Sequence, residues 1–194
     1  MILGHISKEE FLADYWQKKP LLVRNAIANF EPPIDGDELA GLSLEQEVES
    51  RLVIGEDCKL EHGPFAEERF ASLPASHWTL LVQAVDLWVP EVAELLQYFD
   101  FIPPWRIDDI MVSYAEDGGS VGPHFDYYDV FLIQGAGQRK WQIGEACDAE
   151  TPLLKNTELK ILQQFEPSSE WVLEPGDMLY LPPKIAHHGV AIRD

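Results

Sequence analysis

A chain of 194 residues with 46% hydrophobic content is long enough for one domain with an N-terminal extension and apolar enough for a core, which excludes intrinsic disorder. It has no apolar run of about 18 residues, so no membrane span is expected. The formal net charge of −20 at pH 7 argues against nucleic acid as a direct ligand, because a polyanion is repelled, and favours a basic partner through the summed field.

Taken in chain order, residues 1–10 lack the basic and apolar regions of a secretory leader. Ser7 to Lys18 predicts a short amphipathic helix with Phe11, Leu12, Tyr15 and Trp16 at helical spacing. Ser7 and Glu10 are spaced as a capping box. Pro20 ends the helix, and Leu21 begins a strand. Residues 37–48 predict one or two short helices, with Ser43 and Gln46 as a second capping box. Residues 51–56, 60–65 and 78–85 read as strands between turn residues. The two cysteines, Cys58 and Cys147, lie far apart and form no Cys-x-x-Cys, which fits free thiols in a reducing cytoplasm. Residues 91–99 predict a helix with Val92, Leu95, Leu96 and Phe99 on one face, broken by Pro103-Pro104.

From residue 107 onward the pattern is β throughout. Strands are expected at 110–114, 124–126, 129–134, 139–143, 171–173, 178–181 and 189–193. Many short strands at close spacing argue for a sandwich or barrel. Within them, His124-Phe125-Asp126 is followed sixty-one residues after Asp126 by His187. In an extended strand residues i and i+2 point to one side, so His124 and Asp126 can grip one ion while His187 arrives from a distant strand. Two imidazoles and a carboxylate on one triangular face, with three positions open, are the ligand set of non-haem Fe(II) oxygenases. Gly176, Pro182 and His187 give the second half a turn, a buried strand, a proline-rich turn and a ligand, an order similar to the second motif of the cupin superfamily.

Three segments carry a closer resemblance. Residues 18–26 (Lys-Lys-Pro-Leu-Leu-Val-Arg-Asn-Ala), residues 122–135 around the ligand pair, and Gly137-Gln138-Arg139-Lys140-Trp141 resemble the signatures of the JmjC-type, cupin-fold ribosomal oxygenases of bacteria. Those are Fe(II)- and 2-oxoglutarate-dependent protein hydroxylases that consume O2. The resemblance implies a mainly β fold with flanking helices, a double-stranded β-helix of cupin or jelly-roll type. It implies that His124, Asp126 and His187 bind Fe(II). Arg139, fifteen residues after His124, takes the position that anchors the distal carboxylate of 2-oxoglutarate. A guanidinium suits that task, since it binds a carboxylate through two parallel hydrogen bonds and stays charged when buried. Lys140 is the alternative anchor, on the opposite face of the same strand. Where the family places a hydroxyl beside the co-substrate this chain has Ala115, and Ser113, two residues earlier in the same alternation phase, is the candidate replacement.

The implied organisation is an α/β region over residues 1–106, packing on and extending the barrel, and a catalytic core over residues 107–194. Family members continue past the third ligand with a last core strand, a helical dimerisation region and a winged-helix module. The core is therefore expected to be truncated at Asp194, with a homodimer belonging to the longer family protein. The implied function is hydroxylation of a side chain, an arginine, of a basic large-subunit ribosomal protein in the cytoplasm. Two alternatives stand beside it: a metal-dependent cupin enzyme acting on a small molecule, and a non-catalytic cupin-like binding module. Asp117, Tyr127, Tyr128 and Asp129 are the candidate substrate contacts, because carboxylates can clamp a guanidinium and tyrosine rings can cover its alkyl stem. Asp129, out of phase with Asp126, also reads as a structural acceptor. His188 points away from its neighbour His187, and Trp141 and Trp171 read as core.

Overall fold

A computed structural model describes residues 2–155 and 157–193. Asp194, on which the reading of a truncated core rests, lies outside them. In chain order the strands are β1 (Leu21–Val23), β2 (Ser50–Ile54), β3 (Lys59–His62), β4 (Trp78–Val82), β5 (Val112–Ala115), β6 (Val130–Ile133), β7 (Gln138–Ala146), β8 (Ser169–Leu173), β9 (Met178–Leu181) and β10 (Ile185–Ile192). The helices are short: α1 (Lys8–Glu10), α2 (Gly36–Leu42), α3 (Glu67–Ala71) and α4 (Pro90–Ala93). The class is mainly β, as expected. Among the described residues no helix is long and apolar enough to cross a membrane.

The chain divides into two compact units. One joins residues 1–31 to 121–194, and the other is residues 32–120. This division differs from a single cut at residue 107. The reason is that β1 does not pair with the strands that follow it. It pairs antiparallel with β9, Leu22 opposite Leu179, across most of the sequence.

The first unit holds two three-stranded antiparallel sheets, in the orders β1-β9-β6 and β10-β7-β8. Leu179 and Leu181 of one sheet and Trp141, Ile143 and Leu173 of the other share one buried cluster. All four residues of β9 are buried, which explains why Met178-Leu-Tyr-Leu shows no alternation. Its second face is covered by the N-terminal helix. Phe11 is fully buried there, 4.9 Å from the Tyr180 ring and 5.8 Å from Phe131. The Tyr180 hydroxyl donates to Asp129 at 2.5 Å and accepts from the Gln17 N–H at 2.8 Å. Ser7 caps α1 by accepting from the Glu10 N–H, so the predicted helix is present, but it passes into a π-helical turn over Phe11–Tyr15.

The β8–β9 turn is tied to β1 through Asp177. Its carboxylate accepts from the N–H groups of Asn25 and Glu174 and from the Arg24 guanidinium, 2.8, 3.0 and 2.6 Å away. Burial pushes this carboxyl upward, but the two backbone donors and Arg24 outweigh it and hold it below the ordinary carboxylate value. Gly176 precedes it with φ of +86°, and a Cβ there would strike the Ile27 carbonyl at 2.4 Å, so only glycine fits this turn.

The second unit carries a four-stranded antiparallel sheet, β3-β2-β4-β5. Leu39 of α2 packs with Leu52, Leu80, Val82 and Val92 in its core. Two helix expectations change here. The capping box of α2 is Asp35 with Glu38, whereas Ser43 closes the helix at its C-terminus, its hydroxyl on the Ala40 carbonyl. The helix expected over 91–99 is α4 followed by a 3-10 segment, Glu94–Phe99. The short, polar α3 has no apolar periodicity and was not expected.

Removing the Asp177 carboxylate strands two backbone N–H groups and a guanidinium. Asp177→Ala is expected to lower unfolding free energy by about 2–3 kcal/mol, read by urea denaturation at pH 7. The contribution should be complete above the ordinary carboxylate pKa and vanish as pH falls below the depressed one. An unchanged urea midpoint would overturn it.

Candidate metal centre

The ligand segments meet through their backbones. His124 forms an isolated antiparallel bridge with His187: the His124 N–H donates to the His187 carbonyl at 3.0 Å and the His187 N–H to the His124 carbonyl at 2.8 Å. Residues 124–126 are therefore not a named strand, which corrects the strand expected there. They are held instead by this bridge and by the Lys184 N–H donating to the Asp126 carbonyl at 2.6 Å. Lys184 takes φ of +67° in the proline turn before β10. Gly122 takes φ of +78° just before the bridge.

The side chains follow from that register. The ligating atoms of His124, Asp126 and His187 all lie within 4.8 Å of one another. Nε2 of His187 is 3.6 Å and Nε2 of His124 is 3.9 Å from Asp126 Oδ2. Donors about 2.1 Å from one ion and adjacent on an octahedron stand about 3 Å apart, so a bound cation needs only to draw them slightly inward.

The other ring nitrogens fix the tautomers. Nδ1 of His124 lies 2.9 Å from the Gly122 carbonyl oxygen, and Nδ1 of His187 lies 2.9 Å from that of Ile185. A carbonyl only accepts, so each Nδ1 carries a proton and each Nε2 is the atom turned to the centre. His187 is buried, and burial together with the neighbouring His124 lowers its pKa to about 4. It is neutral at pH 7, as a ligand must be. The donor set, its spacing and its protonation all fit a divalent metal.

β7 supplies the cation. By alternation Arg139, Trp141 and Ile143 share one face, and cross-strand register puts Leu173 and Ala191 beside Arg139. Both neighbours are buried and apolar. This burial lowers the Arg139 pKa to about 10, which leaves it charged at pH 7. Lys140 faces the other way, 3.9 Å from Glu170. Arg139 and not Lys140 thus shares a face with His187, which pairs with Ile143 across β10.

The remaining candidates are distributed unevenly. Tyr127 and Tyr128 are exposed, just after the ligand pair. Lys184 Nζ lies 6.0 Å from the Tyr127 ring centroid. Asp129 is engaged by Tyr180 and by the Gln17 side chain, which fits its structural reading. Ser113 sits on β5 of the second unit opposite Leu81, and the Asp117 carbonyl accepts from the His77 N–H there. His188, next to the ligand, faces Phe165. The carbonyls of Gly122 and Ile185 were not foreseen, because every residue carries one and no side-chain pattern marks those that orient a ring.

The JmjC domain family matches residues 94–194. A probable ribosomal oxygenase of Haemophilus influenzae is 45% identical over 194 residues, covering 98% of this chain and 48% of that protein. A ribosomal protein uL16 3-hydroxylase of Escherichia coli is 45% identical over 187 residues, covering 95% of this chain and 49% of that protein. The structure of YcfD, a ribosomal oxygenase from Escherichia coli, in complex with cobalt and 2-oxoglutarate superimposes with a TM-score of 0.86 at 43% identity, over 98% of this chain and 50% of that one. The chain spans about half the length of the curated relatives it matches.

The His187 ring binds its proton less readily in the folded chain, with pKa about 4 against an ordinary 6.5. Its contribution to stability is whole above pH 6.5 and is lost as pH falls toward 4. The metal-free protein should therefore lose thermal stability across that window, and His187→Gln should flatten the loss. Melting curves from pH 7 to pH 4 check this, and parallel slopes would count against it.

Proposed function

The chain belongs to the JmjC domain family, and from that premise we propose that it is an Fe(II)- and 2-oxoglutarate-dependent oxygenase that hydroxylates a side chain of a basic large-subunit ribosomal protein in the cytoplasm. The observation that carries the reading is the convergence of His124, Asp126 and His187, whose ligating atoms lie within 4.8 Å of one another while Nδ1 of each imidazole is turned to a backbone carbonyl. The ribosomal substrate class is supported by the names of the relatives. The choice of an arginine rests on the resemblance.

His124, Asp126 and His187 would hold the metal, and a set of only three protein ligands would leave it room for co-substrate and O2. When bound, Fe(II) would activate O2, one oxygen atom of which ends in the new C–OH and the other in succinate as 2-oxoglutarate loses carbon dioxide. The chain's own residues do the rest. Arg139 receives the distal carboxylate of 2-oxoglutarate, from a face lined by Leu173 and Ala191 that keeps water away. Neutral His187 keeps its lone pair for the metal across the physiological range. The exposed rings of Tyr127 and Tyr128 are the proposed contacts of the polypeptide. The net charge of −20 draws a basic segment toward the protein.

Two outcomes test this. Arg139→Ala should weaken 2-oxoglutarate by about 2–5 kcal/mol, since it removes one partner of a desolvated ion pair, while metal binding persists. Succinate release against 2-oxoglutarate concentration measures it, and an unchanged requirement would remove Arg139 from the role. Incubation of the full chain with Fe(II), 2-oxoglutarate and unmodified basic ribosomal peptides should add one oxygen to a peptide, and Asp126→Ala should add none. Turnover should fall with rising salt, because exposed charges are screened over about 8 Å at physiological ionic strength. Conversion of a small metabolite with no peptide oxidised would sink the protein-hydroxylase reading.

A further inference from the structure

Trp141 occupies a position that core packing alone does not explain. Arg139, Trp141 and Ile143 face one side of β7, and the register sets Ala191, Gly189 and His187 directly opposite them on β10. The Trp141 ring centroid lies 5.9 Å from that of the metal ligand His187. The guanidinium carbon of Arg139 lies 5.9 Å from the Trp141 ring. The indole is thus in ring contact with one functional group and beside the other.

Gly189 is what admits it. A Cβ at Gly189 would come within 2.7 Å of indole Cζ3 and Cη2 and 2.9 Å of Cζ2. The indole therefore lies flat over the strand, in the space any other residue would fill. This contact is with the distal rim of a rigid bicycle, which cannot fold out of the way as an aliphatic chain would. Ile143 and Leu179 close the same buried cluster around it.

We propose that Trp141, seated on Gly189, is a positioning residue that sets the length of dicarboxylate the site accepts, by holding the Arg139 guanidinium at a fixed separation from His187. The proposal rests on the 2-oxoglutarate reading above. A 2-oxo diacid has to engage the metal triad at one end and Arg139 at the other. With the indole 5.9 Å from the His187 ring and from the Arg139 guanidinium carbon, an acid one methylene longer must move one anchor against a rigid ring. A shorter acid cannot reach both. One methylene in a fitted pocket is worth about tenfold or more in discrimination.

The test uses the full chain loaded with Co(II), and calorimetry in place of turnover. Affinities are measured for Co(II) alone, and for 2-oxoglutarate and 2-oxoadipate on the Co(II)-loaded protein. The wild type should prefer the five-carbon acid. Trp141→Phe should keep its Co(II) affinity and shift the ratio toward the six-carbon acid by about tenfold. Gly189→Ala, which keeps the core filled but pushes the indole outward, should weaken 2-oxoglutarate by about tenfold with Co(II) binding intact. If Trp141→Phe does not fold, Gly189→Ala decides alone. Unchanged acid affinities in the variants that fold would show Trp141 to be core packing only and overturn the proposal. A wild type that binds Co(II) but neither acid would overturn the 2-oxoglutarate reading, and this proposal with it.

Discussion

Two backbone hydrogen bonds between His124 and His187 are the constraint on which the functional site depends. They join segments far apart in sequence into one register, and that register decides where three side chains meet. Without it His124 and Asp126 would belong to a loop of undefined direction, because the segment lies outside every named strand. With it, two hydrogen bonds to the carbonyls of Gly122 and Ile185 complete the aim of both imidazoles. A few ordinary backbone contacts thus replace what would otherwise be a large entropic cost of assembling three free ligands.

The bridge is itself held by the sheets around it. β10 continues from His187 along β7, and β9 lies one turn upstream, buried on both faces. That double burial depends on the N-terminal helix, whose Phe11 covers Tyr180, and on Asp177, which fastens β1 to the turn before β9. Residues near the start of the chain therefore stabilise the strand that leads into the third ligand. The resemblance over residues 18–26 acquires a physical reason: Arg24 and Asn25 are the partners of Asp177.

The electrostatics are divided by depth. The chain as a whole is strongly acidic, yet the face of β7 that looks inward carries Arg139 between apolar neighbours. Burial among these apolar neighbours lowers the Arg139 pKa to about 10 and leaves the guanidinium charged at pH 7. The same burial keeps His187 neutral and available to a metal. Low dielectric thus acts on both groups, lowering the pKa of each while Arg139 stays charged and His187 stays neutral at pH 7.

The sequence by itself singled out His124, Asp126 and His187 as one candidate ligand set, from the pairing of His-x-Asp with a second motif ending in a distant His, and the fold brings those three side chains together. It also determined that Arg139 and Lys140 face opposite ways, because alternation along a strand is a local property. Tertiary structure decided what local rules cannot reach. It placed the ligand pair on a bridge and not in a strand, because pairing partners lie outside any sequence window. It gave Asp129 to Tyr180 and Ser43 to the end of a helix, because a polar side chain takes whichever partner the fold brings near. It chose the carbonyls that orient the two rings, and it set Gly189 under Trp141, because cross-strand register is fixed by the whole sheet and by no residue alone.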